Sequence, residues 1–266
     1  MIQKDSDNIQ VRCTDNKMVI NPSKTKAMLF HSKKSGKTIE KLELRIGGEE
    51  IETVETFKYL GVWLNSKMTW NNHYDNVSSK VSSRISLLHR RKRHFRHTDM
   101  IMFCNSLVLS LIDYCLPIWS GICDSKIDKL DRKIVHMIGT VLYMKIPKRR
   151  NVFDKYEVLN WLIVRERNIL YTSEYIFKHI IQKTSLSNTL SPLFLKLPQG
   201  RSRRKPKDFQ LPRTQTKWAQ SNFQYRSIRI WNSITDPIQN CYSLKHFSEN
   251  LRKFVIESRK EQFLFN

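Results

Sequence analysis

The sequence predicts a mainly α fold with a small N-terminal antiparallel β unit, an α+β chain whose weight lies in long helices. Two observations carry this. Glycine numbers 7 and proline 8 in 266 residues, below ordinary usage, which argues against Gly-rich phosphate loops and a chain of many tight turns. Apolar residues alternate in short stretches as far as Leu64, then recur at steps of three and four from Trp70 onward. Hydrophobic residues make up 40% and aromatics 11%, enough for a core and incompatible with wholesale disorder.

In chain order, Asn21-Pro22-Ser23 is a turn, residues 27–30 an apolar strand, and residues 33–37 a basic loop around Gly36. Leu42, Leu44 and Ile46 alternate with charges, Gly47-Gly48 supplies a tight turn, and Ile51 and Val54 follow, a hairpin signature. Residues 57–64 read as a further strand, dense in aromatic and β-branched side chains, with Gly61 where a backbone can approach closely. These elements form a β unit over residues 1–68.

Trp70, Tyr74, Val77, Val81, Ile85 and Leu88 then share one helical face, so a long amphipathic helix begins there. Thr98 is the expected N-cap of a second helix through Ile101, Leu107, Val108 and Leu111, with Pro117 disfavouring helix at the residue before it. Asp124 is expected to cap a third, with Ile127, Leu130, Ile134, Met137, Ile138 and Val141 inward. A fourth helical stretch covers about 153–182 and breaks near Asn160, where the pattern slips. Residues 69–184 thus read as a helical domain. Residues 183–213 shift to Ser, Pro and basic residues, an exposed linker. Residues 185–266 form this basic linker and a tail ending in a helix from Ser243, with Leu244, Phe247, Leu251, Phe254 and Val255 inward.

Lys plus Arg number 47 against 24 Asp plus Glu, a net charge of +23, which calls for an anionic partner, nucleic acid first and an anionic membrane surface second. Arg84, Arg90, Arg91, Lys92, Arg93 and Arg96 crowd the end of the first long helix. Lys145, Lys148, Arg149 and Arg150 follow the third, and Arg201, Arg203, Arg204, Lys205 and Lys207 make another patch. Three clusters are more economically explained by phosphate contacts than by solvated helix ends, although cations also favour helix C-termini. Tyr225 and Trp231 could stack on bases, but their spacing favours core packing.

Nucleotidyl transfer needs paired carboxylates to hold metal ions. Asp5 and Asp7 lie in a polar N-terminal segment and read as solvated, while Asp113, alone in an apolar helix, reads as a carboxylate satisfied by a local partner. His89, His94 and His97 sit among arginines that disfavour a metal cation, so they count as part of the basic face. Cys13, Cys104, Cys115, Cys123 and Cys241 form no C-x-x-C pair, which fits a reducing, intracellular compartment, nuclear or cytoplasmic. The N-terminus has no apolar signal core. The apolar stretch 101–119 is broken by Asn105, Asp113 and Pro117, so no membrane span is expected.

Residues 21–30, Asn-Pro-Ser-Lys-Thr-Lys-Ala-Met-Leu-Phe, resemble the N-x-x-K-T-x-x-M-x-F segment that follows the catalytic aspartates in reverse transcriptases of non-LTR retrotransposons (LINEs), and look like the jockey-type group. Ile46-Gly47-Gly48, then Phe57-Lys58-Tyr59-Leu60-Gly61-Val62 with Trp70 and His73, is similar to the family's run at the end of the palm. Asp113-Tyr114-Cys115 with Trp119, Pro212-Arg213-Thr214, Phe223 with Tyr225, Trp231-Asn232, and Ser243 with Phe247 are similar to its helical region and tail. The resemblance covers nearly the whole chain.

It implies a palm-remnant hairpin, a helical thumb-like bundle and a basic tail of an RNA-directed DNA polymerase. Lys24 would correspond to a basic residue near the nucleotide phosphates, a possible acid for the leaving group. Phe57, Tyr59, Leu60 and Gly61 would match the primer grip. The helices would hold template-primer, RNA or DNA, through backbone contacts. No tyrosine-x-Asp-Asp loop stands in the sequence, and the Mg²⁺ of the family sits at aspartates without counterparts here. The chain alone is therefore expected to be a truncated fragment that binds nucleic acid without catalysing and carries no cofactor or metal, with the absent palm and fingers as a further possible partner. The alternative is a non-enzymatic basic helical module that binds an acidic protein or an anionic membrane.

Overall fold

The computed structural model describes residues 2–31, 43–144, 156, 159–182, 194 and 209–261. Sequence places boundaries at 68/69 and 184/185; the contacts divide the chain once, into Met1–His73 and Tyr74–Asn266. Helix accounts for 64% and strand for 8%, so the chain is mainly helical with a few small sheets.

In the first unit, α1 (Ile2–Asp15) has no buried residue, so apolar packing does not hold it. Glutamine does. Gln3 donates from Nε2 to the Arg45 carbonyl at 2.8 Å and accepts from the Arg45 N–H at 3.0 Å. Gln10, two turns on, accepts the Gly47 N–H at 3.0 Å. Sequence shows only a polar segment at 2–15, because the groups that steady this helix lie far along the chain.

Strand β1 (Lys26–Ala27) pairs in parallel with β4 (Glu52–Thr53), and Lys26 Nζ meets Glu52 Oε2 at 2.5 Å across the pair. The expected strand over 27–30 thus shortens to Lys26–Ala27, with Leu29 and Phe30 exposed, and the β unit is not wholly antiparallel. The expected hairpin is present as β2 (Arg45–Ile46) and β3 (Glu49–Glu50) around Gly47 (φ +63°) and Gly48 (φ +83°). The single strand expected over 57–64 is a second hairpin, β5 (Thr56–Tyr59) and β6 (Val62–Asn65). Leu60 (φ +45°) and Gly61 (φ +84°) form its two-residue turn, the primed geometry that matches strand twist. The loop over 33–37 and Leu42 lie outside the described residues.

In the second unit the apolar stripes hold. On α2 (Asn71–Arg91), Tyr74, Val77, Val81, Ile85 and Leu88 are buried, as is the whole expected face of α6 (Asp124–Val141). The helix starts shift slightly. Arg96, not Thr98, is the N-cap of α3 (His97–Phe103), and Cys123, not Asp124, that of α6. After Phe103 the chain widens into a π turn, Cys104–Leu109, before α4 (Ser110–Asp113). Ser106 and Ser110 hydroxyls donate to the carbonyls of Met102 and Ser106, competing for acceptors that the helix would use. The register shifts, so Leu109 and Ile112 are buried while Leu107 is partly exposed. Cys115 (φ +53°) ends this run, and α5 (Leu116–Trp119) carries Pro117 in its first turn, where a missing N–H costs nothing.

The predicted break near Asn160 is real (φ +51°). Helix α7 (Val164–Ile176) follows, continued by a π turn, Phe177–Ile181. Then come α8 (Lys217–Gln220), α9 (Phe223–Ser233), α10 (Asp236–Gln239) and α11 (Leu244–Glu261). Phe177 stacks on Phe247 with centroids 4.4 Å apart, and Trp231 and Phe209 join them. This core holds Trp231 inside, so it is no exposed stacking platform; Tyr225 is half-buried. Phe194 and Phe209 fall in the span expected to be exposed linker, yet both are buried. Asn232 secures Phe209 by donating to its carbonyl and accepting its N–H, each at 2.9 Å.

Asp131 of α6 is buried and accepts from Tyr156 Oη at 2.9 Å and the Val164 N–H at 3.0 Å. Burial outweighs these bonds and raises its carboxyl from 3.8 to about 6. A raised folded value means that protonation stabilises the fold, fully below about 3.8 and no longer above about 6. Asp131→Asn keeps an oxygen for both donors. Its melting temperature relative to wild type is therefore expected to climb as pH rises from 4 to 7, whereas parallel curves would place Asp131 at an unperturbed value.

The Leu60-Gly61 turn gives a second expectation. An exposed leucine at positive φ costs about 1 kcal/mol relative to asparagine, so Leu60→Asn should raise the melting temperature. Gly61→Val should lower it, as measured by thermal denaturation at neutral pH.

Candidate nucleic-acid interface

The carbonyl end of a helix attracts cations, and α2 ends in His89, Arg90 and Arg91. A 3-10 turn over Lys92–His94 adds Lys92 and Arg93. Arg84, Arg90, Arg91 and Arg93 are exposed. Lys92 Nζ lies 5.4 Å from the Tyr143 ring centroid, and Tyr143 Oη donates to the Lys92 carbonyl at 3.0 Å, which ties the turn to the end of α6. Among the described residues no carboxylate forms an ion pair with Arg84, Arg90, Arg91, Lys92 or Arg93. Arg96 differs. Its Nε is 2.9 Å from Asp99 Oδ2 one turn on, so its charge is compensated locally.

Beside this cluster a groove of about 390 Å³ separates Ser82, Ser86, His89 and Arg90 on α2 from Lys133 and His136 on α6, over Ile85. Lys133 Nζ donates to the Ser78 carbonyl at 2.9 Å and to its hydroxyl at 2.5 Å. Burial lowers the Lys133 ammonium from its ordinary value. The His89 and His136 rings are 6.0 Å apart and tilted by 31°. Arg90 and His89 stand among the residues expected from sequence, whereas Lys133 and His136 do not. Lys129, Arg132, Lys133 and His136 recur at three- and four-residue steps beside the apolar stripe of α6, so the same periodicity that finds the core also carries this signal.

Lys24 is exposed at the end of a 3-10 turn capped by Asn21. In the first unit's second hairpin Phe57 is half-buried, while Tyr59, Leu60 and Gly61 form an exposed tip. Lys148, Arg149, Arg150, Arg201, Arg203, Arg204 and Lys205 lie outside the described residues, as do Lys145 and Lys207. Asp5 and Asp7 are exposed on α1, where Asp7 accepts from Gln3 at 2.7 Å. Asp113 has a partner that is not local: Arg167, 54 residues away, donates from Nη1 to both carboxylate oxygens at 3.0 and 2.8 Å.

Among the described residues no group of three or more His, Cys, Asp or Glu could hold a metal ion, and no helix is long and apolar enough to cross a membrane. All five cysteines are free thiols. No family model, curated protein or solved structure matches the chain. Function must therefore be read from these side chains.

Proposed function

We propose that the chain binds the nucleic-acid backbone in the manner of the palm-end, thumb and tail region of a non-LTR retrotransposon reverse transcriptase, holding template-primer without catalysing. The observation that carries this reading is the uncompensated cation cluster at the end of α2, beside a groove to which Lys133 adds an ammonium. Arg90, Arg91 and Arg93 offer planar guanidinium donors suited to phosphate oxygens, and such contacts are blind to sequence. The order of motifs from Asn21 to Phe247 supports the family assignment. In this reading Tyr59, Leu60 and Gly61 at the hairpin tip contact the primer strand, and Lys24 lies toward nucleotide phosphates. Asp113 is paired with Arg167, which supports reading it as a structural carboxylate.

Each phosphate neutralised releases counterions, so log affinity falls with log salt at a slope of about −0.9 per duplex contact. Replacing Arg90, Arg91 and Arg93 with glutamine should make the slope shallower by about two to three contacts, equally for unrelated sequences. Removing the exposed Lys245 and Lys253 of α11 serves as the control. If both variants lose affinity in proportion to charge alone, or if anionic vesicles or acidic peptides bind better than a primer-template duplex, the reading fails. With Mg²⁺ or Mn²⁺ and a primed template, the purified chain should incorporate no nucleotide; incorporation above a buffer blank would overturn the non-catalytic assignment.

A further inference from the structure

Every polar side chain around the groove between α2 and α6 can donate a hydrogen bond: the hydroxyls of Ser82 and Ser86, the imidazoles of His89 and His136, the guanidinium of Arg90 and the ammonium of Lys133. Among the described residues no carboxylate or carboxamide lines it. Ser78 engages two of the three Lys133 N–H groups and leaves one for a ligand. The helix ends each contribute roughly half a negative charge, which Arg90, Arg91, Lys92 and Arg93 exceed. A metal cation fits poorly, because the imidazoles share the groove with Arg90 and Lys133 and, among the described residues, no acidic ligand joins them. A stacked base fits poorly too, with rings 6.0 Å apart and tilted by 31°.

We propose that this groove is a phosphate pocket, with Lys133 and His136 on one wall and His89 and Arg90 on the other, which seats one phosphomonoester or phosphodiester group. It deepens the nucleic-acid reading, on which the source of the phosphate rests, and it assigns Lys133 and His136 as ligand-contacting residues. The volume lies at the low end of small-ligand sites, which suits one phosphate and its attached sugar rather than a whole nucleotide chain.

The test follows the histidine ring NMR signals of the full chain during titration with inorganic phosphate and pyrophosphate at constant ionic strength. His89 and His136 should shift saturably, and Lys133→Gln and His136→Gln should each weaken binding by about tenfold, the worth of one charge-assisted hydrogen bond. Circular dichroism checks that both variants fold; His136 is exposed, so His136→Gln keeps the test open if Lys133→Gln does not fold. The Lys245 and Lys253 control should bind as wild type. Shifts that never saturate, or that survive both groove variants, overturn the pocket.

Oligonucleotides of one sequence, with a 5′-phosphate or a 5′-hydroxyl, separate the sources. Tighter binding of the phosphorylated strand, lost in His136→Gln, marks a terminal phosphate; equal binding, weakened in His136→Gln, marks an internal one. Saturable phosphate binding without oligonucleotide binding upholds the pocket and removes the nucleic-acid reading. Oligonucleotide binding that ignores both variants, without saturable phosphate shifts, does the reverse.

Discussion

A carboxylate without access to water stays charged only beside a partner that replaces its hydration, and Glu166 in the first turn of α7 is such a group. Arg259 of α11 meets it with two guanidinium nitrogens and also donates to the Trp161 carbonyl, while the Ile163 N–H donates to the same carboxylate. Arg167, the next residue, donates to Asp113 of α4 and to the Leu162 carbonyl. Asp131 of α6 accepts the Val164 N–H at the start of the helix. Three separate elements are thereby oriented on one turn of α7. Removing either member of a buried pair would strand the other charge, which costs several kcal/mol.

The same network bears on the outside of the protein. Acidic residues number 24 against 47 basic ones, and several of the acids are consumed around α7. Besides Asp113, Asp131 and Glu166, Asp124 and Asp128 both accept from Arg165 at 2.9 Å. The cations at the end of α2 have no such partners among the described residues. Around α7 the acids are thus held in structural contacts while the end of α2 leaves its bases toward solvent, and among the described residues an anion meets that end without a carboxylate paired to it.

Polar side chains also solve problems that apolar packing leaves open. Helix α1 is fixed by two glutamines that satisfy hairpin backbone groups. Arg226 is half-buried and, among the described residues, pairs with no carboxylate, donating instead to the carbonyls of Ser221, Pro117 and Ile118 and to the Ser120 hydroxyl. Its guanidinium is lowered to about 10 by burial. Gly121 sits in the same knot, where a Cβ would come within 2.4 Å of the Ser221 carbonyl oxygen, so this position admits no side chain without backbone movement.

What the sequence determined was what local periodicity and composition encode. The stripes of α2, α6 and α11, the Gly47-Gly48 turn, the break at Asn160 and the basic end of α2 each depend on residues within a few positions of one another. The bland reading of Asp113 as a structural carboxylate was legible too, though its partner was not. Tertiary structure alone decided that Arg167 pairs with Asp113 and Arg259 with Glu166, that glutamines hold α1, that Phe194 and Phe209 enter the core, and that Lys133 and His136 face His89 and Arg90. Those pairings join residues tens of positions apart, and no pattern along the chain specifies which faces meet. They follow from the packing of whole elements, because a buried polar group is satisfied by whatever donor or acceptor that packing delivers.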